Sequence, residues 1–186
     1  NIRDWESCQE CIEGINREFG SIDVLVNNGG ITQDTTLKRM TPQQWDDVIA
    51  TNLTSVFYMT RLVINDMLEK GFGRIINISS VNAQKGQFGQ ANYSAAKAGM
   101  HGFTKAVAQE VAAKGITVNT VSPGYTETSM IREVPEEIRQ QILKGIPVGR
   151  FGLPEEIARV VIFLASDDSG FITGSDISAN GGQHMH

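Results

Sequence analysis

The sequence predicts an α/β fold of the doubly wound class, a parallel sheet covered by helices on both faces, and three observations carry that prediction. Short β-branched runs alternate along the chain with longer segments of helical period. The runs are almost continuously apolar, as strands buried on both faces must be. Three of the four lead straight into turns of Asn, Gly, Ser or Pro, and in open parallel sheets the ends of the strands are where ligands bind.

The elements follow in order. A helix is expected over Trp5–Phe19, then a strand at Ile22–Val26 that ends in Asn27-Asn28-Gly29-Gly30. A long helical period runs through Trp45, Val48, Ile49, Leu53, Val56, Phe57, Val63, Ile64 and Met67, and Asn52 interrupts its apolar stripe. A buried amide must find partners, so Asn52 is either a structural tie or a member of a polar network. The second strand, Arg74–Ile78, precedes Ser79-Ser80-Val81-Asn82. The helix from Tyr93 to Val111 carries Ala96, Met100, Phe103, Val107 and Val111 on one face, and the same face holds Tyr93 and Lys97, stacked one turn apart. Lysine is rare on a buried face, so Lys97 either snorkels to water or serves a site. The third strand, Ile116–Val121, leads into Ser122-Pro123-Gly124-Tyr125. The last helix opens on Pro154 with Glu155 and Glu156, where proline forfeits no hydrogen bond and acids favour the positive helix end, and the last strand is Ser175–Ala179. No repeat, low-complexity tract or charge block divides residues 1–186, so one domain is expected.

Composition narrows the function classes. With 40% hydrophobic and 20% charged residues the chain is neither disordered nor rich enough in apolar runs for a membrane span. A formal charge of -5 and a pI near 5.2 argue against a nucleic-acid partner. Cys8 and Cys11 form one pair with no second, so neither a disulfide framework nor a metal site is expected. The absence of a secretory pattern and the sparse cysteines suit a reducing compartment, the cytoplasm.

Ser80, thirteen residues before Tyr93, the run Tyr93-Ser94-Ala95-Ala96-Lys97, Asn52, and Asn27-Asn28-Gly29 together resemble the short-chain dehydrogenase/reductases, nicotinamide-dependent enzymes with a Rossmann fold. Pro123-Gly124 followed by Thr128, Ile172-Thr173-Gly174 and Asn180-Gly181-Gly182 extend the resemblance over the whole chain. Within the family, the stretch from Ser79 to Gln90 and the ending Asn180-Gly181-Gly182-Gln183-His184-Met185 are most similar to acetoacetyl-CoA reductases of polyhydroxybutyrate synthesis. Two departures stand out. Gly30 replaces the usual alanine, and the family's leading strand, Gly-rich turn and helix have no counterpart. The chain, which opens on Asn1, is therefore expected to be an N-terminally truncated Rossmann domain lacking its first βαβ part, about sixty residues. By itself it is expected to be inactive and poorly soluble, with the strand at Ile22–Val26 as a bare edge.

The resemblance implies Ser80, Tyr93, Lys97 and Asn52 as catalytic residues: Tyr93 as proton donor, Ser80 on the substrate carbonyl, Lys97 on the nicotinamide ribose and beside the phenol, and Asn52 on a proton-relay water. It implies contacts from Asn1, Ile2, Asn28, Gly29, Tyr93, Lys97, Pro123, Gly124 and Thr128 to NADPH/NADP, NAD not being excluded, and no metal. The acyl group is expected between Gln87, Phe88 and Gln90 on one side and Tyr125 on the other. An ammonium about four to five ångströms from the phenol supplies roughly 3–4 kcal/mol at an effective dielectric of about 20, most of what a tyrosine needs to titrate near neutrality. The implied substrate is a small acyl-CoA, with a carrier-protein thioester or a non-catalytic Rossmann remnant as alternatives. The family further implies a homotetramer, with Met59, Leu62, Val107 and Val111 offered as interface residues.

Overall fold

The chain enters its first helix, α1 (Trp5–Phe19), through Asp4, whose carboxylate accepts a hydrogen bond from the Ser7 amide at 2.8 Å. This and all that follows is read from a computed structural model. It describes residues 1–185, and the side chains of all of these except Ser129 and Met130. Four strands follow in the expected places: β1 (Val24–Asn27), β2 (Gly73–Ile78), β3 (Ile116–Pro123) and β4 (Asp176–Ala179). They form one parallel sheet in the order β1-β2-β3-β4, with Leu25 opposite Ile75, Ile75 opposite Val118 and Val121 opposite Ile177.

The other helices are α2 (Pro42–Ile49), α3 (Ser55–Lys70), α4 (Val81–Lys85), α5 (Ala91–Val111), α6 (Ser129–Arg132), α7 (Glu136–Lys144) and α8 (Pro154–Ala165). Alternation of side chains along each strand sends them to two cores. On one face Leu25, Ile75, Ile116 and Val118 pack with Ile12 of α1, Val63 and Met67 of α3 and Ala108 and Val111 of α5. On the other, Ile76 and Val121 pack with Leu164 of α8. That two-sided covering is the doubly wound arrangement.

Three expectations need correction. The single helical period from Trp45 to Met67 is two helices joined by a π-helical turn, Ala50–Thr54. The wider turn accommodates an extra residue and turns Asn52 fully inward, a feature that recurs at functional sites. Met59, Leu62 and Val107 are not an outward stripe: they pack half-buried against the first core, and Val111 belongs to it, because α3 and α5 both lie on the same sheet face. Phe57 and Leu68 of α3 and Trp45 of α2 are large apolar side chains left partly outside. The segment from Val81, read as a polar turn, is the short helix α4, because Ser80 caps it.

The edge strand β1 hydrogen-bonds to β2 alone among the described residues. Its Leu25 is buried in the first core, whereas Val24 and Val26, on the opposite face, are 38% and 40% exposed. Gly115 closes the turn into β3 at φ +76°, where a Cβ would stand 2.3 Å from the Gly71 carbonyl oxygen, so only glycine fits. No described helix is long and apolar enough to cross a membrane.

Candidate active site

The carboxyl ends of β1, β2 and β3 open on a cavity of about 640 Å³. Val26, Ile78 and Pro123 of the strands and Ile157, Val161 and Ile162 of α8 give it apolar walls, while Ser80, Tyr93 and Lys97 bring the polar groups. Thus three side chains from two neighbouring elements, the cap of α4 and the first turns of α5, meet at one wall, each for a traceable local reason.

Ser80 is the N-cap of α4. Its extended backbone ends β2's run, and its Oγ accepts the Asn82 amide at 3.1 Å. With the oxygen's acceptor role taken by the backbone, the hydroxyl proton points outward as a donor. The Tyr93 phenol is one receiver, and that hydrogen bond opposes the upward shift burial gives the phenol. Tyr93 sits in the first turn of α5. Its amide donates to the Asn92 side chain at 2.8 Å, and Asn92, fully buried, donates in turn to the carbonyls of Gln33 and Gln44. The tie holds the start of α5 to α2 and to the loop after β1.

Lys97, one turn on, is only 3% exposed. Its Nζ donates to the Ile78 carbonyl at 2.6 Å and stands 5.7 Å from the centre of the Tyr93 ring. The snorkelling alternative is thereby excluded: the ammonium stays inside. Desolvation brings its pKa down from 10.5 to about 8, so the charged form still prevails at neutral pH. Tyr93 is raised above 10, first by burial and lastly by the Asp34 carboxylate.

Asn52 stands behind this wall. Its Oδ1 accepts the Ile31 amide at 2.8 Å and its Nδ2 donates to the Ile31 carbonyl at 2.9 Å, a two-bond tie that pins the glycine-rich loop after β1. Asn52→Ala leaves both half-buried Ile31 groups without that partner, at about 1 kcal/mol for each hydrogen bond lost. A fall in Tm of several degrees is expected in thermal unfolding beside the wild type, at roughly 2–4 °C per kcal/mol. An unchanged Tm would show that the tie contributes nothing.

Of the expected cofactor residues, Asn28, Pro123, Gly124 and Thr128 line the cavity. Gly29 and Ile2 are not among the lining residues and lie against each other, the Ile2 Cδ1 standing 2.7 Å from where a Cβ on Gly29 would be. Asn1 is exposed at the start of the chain, and its carbonyl accepts the Asp4 amide. A methyl at Gly30 would meet Asn52 Oδ1 at 3.4 Å and Lys97 Nζ at 3.6 Å, ordinary contacts, so the family's alanine also fits. At Gly124 a Cβ would fall within 2.9 Å of Asn180 backbone atoms, which requires glycine.

None of the four residues proposed to flank the acyl group lines the 640 Å³ cavity. Gln87 and Gln90 lie on the loop between α4 and α5, where Gln90 donates to Asp34 at 2.8 Å and accepts from Asn82 at 2.9 Å. Phe88 is 88% exposed. Tyr125 lines a second cavity of about 310 Å³ that shares Gly124 with the first and has Ile146, Val148 and Gly181 on its far side. Sequence reasoning missed the α8 wall and Asn92. The apolar period of α8 exceeded what one sheet face needs, and the polar residue before Tyr93 at a helix start was a signal for the second.

A nicotinamide ring with its ribose suits the large cavity, which is apolar on one side and carries the Lys97 ammonium and the hydroxyls of Ser80 and Tyr93, among others, on the other. The family described as Enoyl-(Acyl carrier protein) reductase matches residues 1–184. The chain is 61% identical to the acetoacetyl-CoA reductase of Rhizobium meliloti over 98% of its own length and 77% of that protein. It is 56% identical to that of Cupriavidus necator, over 100% and 75% respectively. A 3-oxoacyl-(acyl-carrier-protein) reductase of Haemophilus influenzae is 49% identical over 100% of this chain and 76% of that one.

Proposed function

The chain belongs to the short-chain dehydrogenase/reductase family, and from that membership we propose that it carries the catalytic part of an NADPH-dependent reductase of acetoacetyl-CoA, giving a 3-hydroxybutyryl-CoA. The convergence of Ser80, Tyr93 and Lys97 at one cavity supports the chemistry. Identities of 54–61% to four acetoacetyl-CoA reductases support the choice of substrate.

The cofactor, when bound, supplies the hydride for the ketone carbon. Asn28, Gly29, Pro123, Gly124 and Thr128 would hold it, with Asn1 and Ile2 toward the adenine side and Lys97 on the ribose. The Ser80 hydroxyl, its oxygen occupied by the Asn82 amide, donates to the ketone oxygen and orients it. Tyr93 gives that oxygen its proton. Lys97, whose Nζ stands beside the Tyr93 ring, steadies the phenolate that remains, by roughly 3 kcal/mol for an ammonium about five ångströms from the charged oxygen at an effective dielectric of about 20. Asn52 holds the loop after β1 in place and, in the family's relay, a water. Gln87, Phe88, Gln90 and Tyr125 border the acyl thioester. The reading takes the active assembly as a homotetramer in the cytoplasm and assigns no metal.

A second reading, reduction of a 3-oxoacyl group tethered to a carrier protein, is favoured by the relatives of that name at 49% identity. Chain length separates the two. We expect kcat/KM of the full-length enzyme to fall from four carbons to eight on free CoA thioesters, reversing the gain of roughly 1 kcal/mol or more per methylene that an open apolar pocket would give. A flat or rising series, or a large preference for carrier-bound substrate, moves the assignment to the second reading.

A further inference from the structure

We propose that His101 is a positioning residue, holding the strand end that bears Ser80 in register with the helix that bears Tyr93 and Lys97. The inference rests on the reductase reading above and adds a residue that the reading does not use. Ser79, immediately before Ser80 and buried, is clamped to α5 at two points. Its Oγ donates to the Lys97 carbonyl at 3.0 Å and lies 2.8 Å from His101 Nε2. The single hydroxyl proton of Ser79 goes to Lys97, so the bond to the ring runs the other way, with Nε2–H donating. Two further neighbours of Nε2 agree. Ser122 Oγ, at 3.4 Å, has given its proton to Asp176 Oδ1 at 2.7 Å, and Asp176 Oδ2 stands 3.8 Å from the ring nitrogen. All three face Nε2 with lone pairs, which assigns the proton to that nitrogen.

The far side of Ser80 is tied to the same carboxylate. Gln84 of α4 donates to Asp176 Oδ2 at 2.7 Å, and Thr120 donates to Oδ1 at 2.8 Å. Ser80 therefore hangs between two anchors, Ser79 on α5 and Gln84 on β4, and His101 lies between them. The ring does not line the 640 Å³ cavity. Its action on the chemistry runs through Ser79, into the placing of the Ser80 donor and the Lys97 backbone.

The test is steady-state kinetics on the full-length enzyme with acetoacetyl-CoA and NADPH. His101→Ala is expected to lower kcat roughly tenfold, since small misplacements of catalytic groups cost one to two powers of ten. KM and cofactor Kd should stay within about twofold, the pattern for an interaction felt in the transition state. His101→Gln, whose amide donates from the Nε2 position, should recover most of the loss. Ser79→Ala should match His101→Ala, and the double variant should be no slower than the slower single one, as two residues of one linkage behave. A His101→Ala enzyme with kcat within about twofold of wild type overturns the proposal, as does a Gln variant no better than Ala, or losses that multiply in the double variant. If His101→Ala fails to fold, the Gln and Ser79 variants still decide. Tyr93→Phe run in parallel separates the two levels: if it stays active the reductase reading fails, and if it is dead while His101→Ala is unaffected only the positioning role fails.

Discussion

Tyr93→Phe is expected to lower kcat of the full-length enzyme by about 10²–10⁴-fold while leaving NADPH affinity nearly unchanged. The substitution deletes one hydroxyl. The ring keeps its packing and its place before Lys97, and the Asn92 side chain still holds the backbone amide. What disappears is the proton donor that Ser80 orients. Without it the ketone oxygen must take its proton from water while charge develops in a buried cavity, an environment that magnifies the cost of an unpaired anion. Stopped-flow hydride transfer and fluorescence titration of NADPH check both halves. Retention of more than about one hundredth of kcat would remove Tyr93 from the role.

Lys97→Ala differs because the ammonium has more than one task. Loss of about 3 kcal/mol of phenolate stabilisation corresponds to a kcat lower by on the order of 10². Cofactor Kd should rise as well, since the ribose loses a donor, and the Ile78 carbonyl loses its 2.6 Å partner. A kcat defect with unchanged Kd would take the ribose from Lys97. The pH dependence of stability offers an independent readout. Lys97 titrates at about 8 in the fold and near 10.5 unfolded, so between those values the unfolded chain binds more protons. Stability contributed by this group is therefore lowest below pH 8, where burying the charge costs most, and rises as pH increases from 8 to 10.5. Denaturant unfolding across that window should show the wild type gaining on Lys97→Ala. Parallel curves would show that Lys97 is not desolvated as described.

These expectations combine two kinds of information. Periodicity is local, and it located α1, α5, α8 and the four strands to within two or three residues, because a helix or strand must bury one face whatever it packs against. Tyr93 and Lys97 were legible for the same reason: four residues apart on an apolar stripe, they had to share a wall. The polar helix α7, whose Ile138 stays partly outside, left no such trace.

What only the tertiary structure decided is the pairing of polar groups remote in sequence. Asn52 was visible as an intrusion in its stripe, but that its amide meets the Ile31 backbone follows from the π-helical turn and the return of the loop after β1. His101 was unremarked, an ordinary residue on a helix, until β4 brought Asp176 beside it from 75 positions away. The sequence by itself determined the fold class and the strand ends that open on the cavity, and it singled out the side chains proposed to react there. Which hydroxyl donates, which carbonyl holds the lysine and which ring nitrogen carries the proton are set by distances across the sheet. Burial strips these groups of water, so each must find its partner from whatever element the fold carries past it.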